Sequence, residues 1–293
     1  MLVVWKYAPR NSIIESFDPR ARWFASFLLM FAIIQFWNFN FLVIFFLISV
    51  TQLLLTKLTW KEIRRPLIFM FVLVVVIIGL NALLSGRGGP GDLQTMTPHY
   101  YWQKPITIPL VGWTLNLSIT AEKAFFAITQ MTRMLAIALM FIIIPYTMDP
   151  ALYGVTFGGM GIPYRFAFSM DLAFRFVPSL ARDFEITLDA QRARGFELDK
   201  LDGGIIALIR KVAPLLIPVT MSAILSGEDI ANAMDLRCFG LKERTWIGEL
   251  TYRTRDYILI GSGILILVAS IVLRYTTDLE TFWVPQFMIN LAG

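Results

Sequence analysis

Two arginines stand out by chemical type and by setting. Arg194 closes the stretch "AQRARGFEL" (190–198), and Arg237 holds the same place in "AMDLRCFGL" (233–241). The endings read Ala193-Arg194-Gly195-Phe196 and Leu236-Arg237-Cys238-Phe239, 43 residues apart (194 to 237). The same shift superposes Glu185 on Glu228, Ala190 on Ala233 and Leu198 on Leu241. A guanidinium is planar, permanently charged and forked to match a carboxylate. Arginine and aromatic side chains are also enriched among the residues that dominate protein interfaces. Arginine followed two residues later by phenylalanine thus offers a forked charge and an aromatic anchor, and two such endings suit two similar partners. The simpler reading is that arginine offsets the partial negative charge at a helix C-terminus, with Gly195 and Gly240 as terminators. That explains either ending alone, but not the pair with its phenylalanine each time.

Other reactive groups are few. Asp183, Glu185, Asp189, Arg192 and Arg194 are the material for an alternative function, a membrane-embedded enzyme acting on a polar or phosphorylated lipid. These acids fall around a helix surface, without the Asp-Asp-x-x-Asp spacing that holds magnesium. There is no Gly-x-x-x-x-Gly-Lys-Ser/Thr phosphate loop; "GRGGPGD" (86–92) lacks the lysine and reads as a turn. No Gly-x-Ser-x-Gly elbow or His-Glu-x-x-His pair occurs. A single cysteine, Cys238, and a single histidine, His99, exclude an internal disulfide and any multi-histidine or multi-cysteine metal site. No cofactor, no metal and no catalytic residue is expected. A stand-alone secondary transporter needs ionisable groups in mid-span, and only Arg133 and Lys123 qualify.

The elements that carry the arginines belong to a membrane protein. Of 293 residues, 57% are hydrophobic and 16% charged, against about 25% charged in soluble domains. Spans of roughly 20 residues fit 21–37 and 41–56, a tight pair broken by "WNFN" (37–40), then 67–85, 121–146 and 256–273. Residues 86–118, rich in Gly, Pro and aromatics, read as a structured external loop. The first 23 residues mix charges and prolines without a compact apolar core, so the first spans are expected to act as their own insertion signal. Net charge is +5, which alone suits nucleic acid, but the placement of the basic residues suits a membrane. Four lie before residue 23, four in 57–65 and thirteen in 146–255. Positive-inside logic then puts the N-terminus and 147–255 in the cytoplasm and the C-terminus outside. No nucleic-acid partner is expected.

Residues 147–255 hold two long amphipathic patterns. In 161–195, Phe166, Met170, Phe174, Val177, Leu180, Phe184 and Leu188 recur at three- and four-residue steps, a helical period. Pro178 is expected to bend or restart this helix. In the second pattern, 212–225 are fourteen residues without a charge but with Pro214 and Pro218. That stretch is short for a span and suits a helix at the inner surface or among other helices. The expected fold is all-α and integral to the membrane: about five spans and two amphipathic cytoplasmic helices. Its parts are 1–146, four spans with the loop; 147–255, the cytoplasmic region; and 256–293, the last span and tail.

"YAPRNSIIESFDPRARW" is similar to the Tyr-x-Pro…Ser…Asp-Pro-Arg-x-(Lys/Arg) opening of the transmembrane T component of energy-coupling factor (ECF) transporters, the family that includes the cobalt-transport membrane subunit. Tyr7, Pro9, Ser12, Asp18, Pro19, Arg20 and Arg22 carry the match. The two arginine endings resemble the family's paired coupling-helix motifs, Ala-Arg-Gly or a variant; Leu236-Arg237-Cys238 keeps the central arginine and alters its neighbours. The resemblance implies a non-catalytic subunit of the cell membrane. Two cytoplasmic ABC-type ATPase subunits would receive the tips, at Ala193, Arg194, Gly195 and Phe196 and at Leu236, Arg237, Cys238 and Phe239. A small substrate-binding membrane subunit (S) would carry a vitamin or a transition metal, and ATP would be hydrolysed by the ATPases.

Overall fold

The computed structural model describes Tyr7 and residues 9–84, 100–108, 113–196, 205–241, 246–248, 250–276 and 284–286. In chain order the elements are α1 (Pro19–Ile34), α2 (Phe39–Leu55), α3 (Trp60–Leu84), β1 (Tyr100–Ile108), β2 (Trp113–Thr120), α4 (Ala121–Thr147), a 3-10 turn (Pro150–Leu152), α5 (Tyr153–Gly159), α6 (Tyr164–Ala193), α7 (Ile205–Leu236) and α8 (Thr254–Thr276). The chain divides into two compact units, one of residues 9–147 with the segment from Tyr252 onward, the other containing 148–251.

In the first unit the helix starts are set by side chains that satisfy free N–H groups. Asp18 accepts the Arg20 N–H, and Pro19 takes a position where its missing donor costs nothing. Asn38 caps α2 in the same way. The Glu62 carboxylate reaches back to the Thr59 N–H at 3.1 Å, so α3 begins at Trp60 and carries Lys61, Arg64 and Arg65 in its first two turns. The break between α1 and α2 falls at 35–38, slightly ahead of the expected 37–40. Buried Leu29, Ala32, Ile33 and Phe36 pack with Leu42 and Phe45 of α2 and with Ala136 and Met140 of α4. Helix α8 approaches α1 through small residues: a Cβ at Gly263 would lie 3.1 Å from Leu28 Cδ1.

Among the described residues four stretches are long and apolar enough to cross a membrane by length and composition: Trp60–Leu80, Glu122–Thr147, Val212–Leu236 and Thr254–Thr276. Helix α2 is apolar but shorter. The protein is an all-α, multi-pass membrane protein, with one local exception. Strands β1 and β2 pair antiparallel, Tyr100 opposite Thr120 and Ile108 opposite Trp113; the ribbon begins in the loop expected over 86–118 and runs two residues past it. The "GRGGPGD" turn and His99 lie outside the described residues.

In the second unit, a Cβ at Gly154 of α5 would stand 2.5 Å from Asp171 Cβ and 3.0 Å from the Ala167 carbonyl oxygen. Glycine therefore permits α5 to lie directly on α6. The restart expected at Pro178 does not occur; α6 is helical from Tyr164 to Ala193. Helix α7 likewise runs through Pro214 and Pro218. The part of α7 that holds the charge-free stretch, Val212–Leu236, is longer than that stretch and a candidate span by length and composition.

Candidate functional site

The two arginine endings close their helices with the same hydrogen-bond pattern. At the end of α6, the Gly195 N–H donates to the Arg192 carbonyl at 2.9 Å and the Phe196 N–H to the Gln191 carbonyl at 3.0 Å. At the end of α7, the Cys238 N–H donates to the Asp235 carbonyl at 2.9 Å and the Phe239 N–H to the Met234 carbonyl at 3.0 Å. Both are Schellman motifs, in which the residue after the cap turns left-handed to satisfy the last carbonyls. Arg194 and Arg237 are the cap residues, and Gly195 (φ 85°) and Cys238 (φ 54°) take the left-handed position. The terminator of the second helix is thus Cys238, not Gly240, which has its own positive φ of 90° in the turn beyond. The 43-residue shift matches the two caps position by position.

Arg194 and Arg237 are exposed, as are Ala193, Gly195, Leu236 and Cys238, while Phe196 and Phe239 are half-buried. The expected aromatic anchor is partly used within the chain. Phe239 packs on Phe168 and Tyr164 at ring distances of 4.6 and 6.1 Å, and Trp246 joins Tyr164 at 5.3 Å. Phe239 therefore fixes the second tip to the start of α6 instead of projecting freely beside Arg237.

Helices α6 and α7 run antiparallel. Near the end of α6 the Gln191 amide donates to the Pro214 carbonyl at 3.2 Å; farther back Ser222 donates to Asp183 at 3.1 Å; at the start of α6 the partner is Phe239. The arginine tips accordingly stand at opposite ends of the pair, separated by on the order of 40 Å at 1.5 Å per helical residue. Of the seven apolar positions expected on α6, Leu188 is buried and Phe174 stacks on Tyr153 at 4.7 Å, but Phe166 and Met170 are exposed. Exposed Leu216, Ile217, Met221, Ile224 and Leu225 give α7 a broad apolar face.

The acids that suggested a phosphate or metal site are otherwise engaged. Asp183 accepts from Ser222, and Asp189 pairs with Arg192 at 3.3 Å. Among the described residues no three His, Cys, Asp or Glu side chains are grouped to hold a metal. Arg133 donates to Gln130 one turn earlier in α4 and lies 4.2 Å from the centre of the Trp37 ring. That is an aromatic seat for a cation within an apolar helix.

The "PRNSIIESFDPRARW" segment has a different role, at one end of the first unit. Arg10 donates to Glu62 at the start of α3 (2.7 Å) and to the Tyr146 carbonyl near the end of α4 (3.5 Å). Arg22 donates to the Thr147 carbonyl and hydroxyl, both at 2.9 Å. The Asp256 carboxylate accepts the Asp18 N–H and the Arg253 N–H, both at 2.8 Å, and so joins the starts of α1 and α8. Arg20 pairs with Asp18 at 3.0 Å and lies 4.1 Å from the centre of the Tyr252 ring. Burial pushes the Tyr252 phenol above its ordinary value, and the Arg20 charge pulls it partly back. The starts of α1, α3 and α8 and the end of α4 are gathered at one end.

Comparison with known proteins gives a consistent likeness. Residues 10–247 match the CbiQ family, described as cobalt transport protein. The chain is similar to the energy-coupling factor transporter transmembrane protein EcfT of Clostridium kluyveri, with 27% identity over 93% of this chain and 97% of that protein. It is also similar to the proteins of that name from Thermosediminibacter oceani (27% identity, 94% and 98% covered) and Thermotoga maritima (26%, 91% and 93%).

Proposed function

The chain belongs to the CbiQ family of cobalt transport proteins, and from that premise we propose that it is the energy-coupling transmembrane subunit of an ECF-type ABC importer. In this reading two cytoplasmic ABC-type ATPases bind the tips at 193–196 and 236–239, and a small S subunit carries the vitamin or transition metal. ATP hydrolysis belongs to the ATPases, and this chain is not an enzyme. The observation that carries the reading is the pair of matching Schellman caps, each presenting an exposed arginine at one end of an antiparallel helix pair. An arginine whose backbone is fixed by the cap can enter an acidic groove without further loss of backbone freedom. Closing and opening of the ATPases would move the tips, and α6 and α7 would pass that movement to the S subunit in the bilayer.

The membrane orientation follows from charge. The end of the first unit that gathers Arg10, Arg20, Arg22 and the basic start of α3 is assigned to the cytoplasm. In this reading the N-terminus is inside, and the β1–β2 ribbon and the C-terminus beyond α8 are outside. Residues 148–251 connect the end of α4 to the start of α8, and in this reading they lie at the cytoplasmic surface, α7 included although its length and composition would allow a crossing.

The test is charge reversal at both tips. Truncating one member of a desolvated arginine–carboxylate contact costs about 2–5 kcal/mol, so Arg194→Glu with Arg237→Glu is expected to weaken ATPase binding by at least about thirtyfold per tip. The tagged double variant should reach the membrane, lose its ATPases on purification and fail to support uptake. Normal co-purification with full uptake would refute the assignment.

A further inference from the structure

The first arginine tip is braced by a hydrogen bond whose origin lies in the other helix. Pro218 has no N–H, so within α7 the carbonyl four residues earlier, that of Pro214, loses its helical donor. The Pro214 carbonyl lies at an exposed position, where a donor from another helix contributes the modest net value of one hydrogen bond. The Gln191 side-chain amide of α6 donates to that carbonyl at 3.2 Å. The Gln191 backbone carbonyl meanwhile accepts from the Arg194 N–H at 3.0 Å and from the Phe196 N–H at 3.0 Å, the bonds that hold the first cap. One residue therefore closes the Arg194 tip with its main chain and reaches the interrupted stretch of α7 with its side chain.

We propose that Gln191 is a positioning residue for the first tip, tying Arg194 to the proline-interrupted segment of α7 by capping the Pro214 carbonyl that Pro218 leaves free. The second tip has an equivalent tie of different chemistry, because Phe239, the residue two beyond Arg237, is seated on Phe168 and Tyr164. Each tip is thus fastened to the other helix of the pair. The consequence for coupling rests on the energy-coupling reading above: a displacement imposed at Arg194 is delivered to α7 near Pro214–Pro218 and not absorbed by bending of the last turn of α6. Gln191 touches neither partner nor cargo in this scheme; it acts through the tip.

The tie makes a prediction that burial or general packing does not. If Pro218 is replaced by alanine, the new N–H can serve the Pro214 carbonyl within α7, and the amide of Gln191 becomes redundant. The effects of Gln191→Met, which keeps the length but removes the donor, and Pro218→Ala should therefore be strongly non-additive. Spin labels at Asp189→Cys and Leu216→Cys, both exposed positions, would report the α6–α7 distance in a Cys238→Gly background. Gln191→Met should broaden the distance distribution at least about twofold with Pro218 present and leave it nearly unchanged with Pro218→Ala. Equal broadening in both backgrounds, or in neither, would overturn the proposal.

In liposomes containing the complete transporter, Gln191→Met should lower ATP-driven uptake about fivefold while the complex still assembles, and Pro218→Ala should remove most of that difference. Unchanged uptake would refute the role in coupling. If the parent complex shows no ATP-driven uptake at all, the energy-coupling reading fails, while the label distances on this chain still decide whether the tie exists.

Discussion

Asp256 is a residue whose loss the structure makes expensive. Its carboxylate is 1% exposed and accepts two backbone N–H bonds of 2.8 Å, from Asp18 and from Arg253. One oxygen completes the start of α8, since Asp256 is its third residue and reaches back to the N–H of the residue before the helix. The other secures the residue that caps α1. Asp256→Ala leaves both donors unserved in a buried place, at about 1–3 kcal/mol each. It also removes a negative charge that a helix N-terminus favours. Relief of the desolvated charge offsets part of this, so a net loss of about 2–5 kcal/mol is expected. Heating the detergent-solubilised chain and measuring the folded fraction by size exclusion should show a midpoint lowered on the order of 5–10 °C. Asp235→Ala, an exposed acid on α7, serves as the control and should stay within about 1 °C. If Asp256→Ala melts with the parent and the control, the carboxylate does not join the two helix starts, and the account of the N-terminal segment as a structural knot is wrong.

Gly154→Ala sets a Cβ 2.5 Å from Asp171 Cβ and close to the Ala167 carbonyl, so α5 must move off α6. A loss of about 1–3 kcal/mol is expected in the same melting assay, whereas an unchanged midpoint would mean the two helices do not pack this closely. The two caps should respond oppositely to substitution at their left-handed residues. Cys238→Gly removes a side chain from a backbone of φ 54° and should stabilise the second tip by about 1 kcal/mol, while Gly195→Ala, at φ 85°, should destabilise the first by a similar amount. Amide exchange at residues 194–196 and 237–239 measures both, and equal responses would show that the left-handed caps are not formed.

The helices were legible in the sequence where a single signal fixed them. Asp18-Pro19 and Thr59-x-x-Glu62 are local start codes, and apolar runs supplied the rest. Helix α5 was not legible, because three glycines in seven residues argue against a helix by propensity; tertiary contact with α6 overrides that, and it needs Gly154 to do so. The β1–β2 ribbon was hidden in a segment whose glycines and prolines read as loop. Pro178, by contrast, does not restart its helix. Proline removes one hydrogen bond, which a thirty-residue helix packed along its length withstands. At the tips, the arginines were visible as a repeat, but their capping geometry was misassigned at Gly240, since glycine is the usual left-handed residue and Cys238 took its place. Gln191 carries no motif of its own. Its signal was Pro218, which marks the Pro214 carbonyl as needing a donor, yet only the antiparallel register brings Gln191 to it.

The separation of the two arginines bears on what can hold them. At on the order of 40 Å, they stand farther apart than the diameter of a typical hundred-residue domain, whose radius of gyration is about 13 Å. One compact body of that size cannot cover both; two bodies side by side can. Had the tips been parallel neighbours, a single groove would have accommodated the pair, and the repeat would carry no information about number. Their placement at opposite ends, with Phe239 and Gln191 each fastened to the other helix, makes the pair a braced rod that, in the proposed reading, would receive a load at either end. A force on one end of a braced rod turns the whole rod, whereas a force on a free tip is lost in that tip. In the energy-coupling reading proposed above, the apolar face of α7 between the two ends is what would move relative to the bilayer when the two ATPases close.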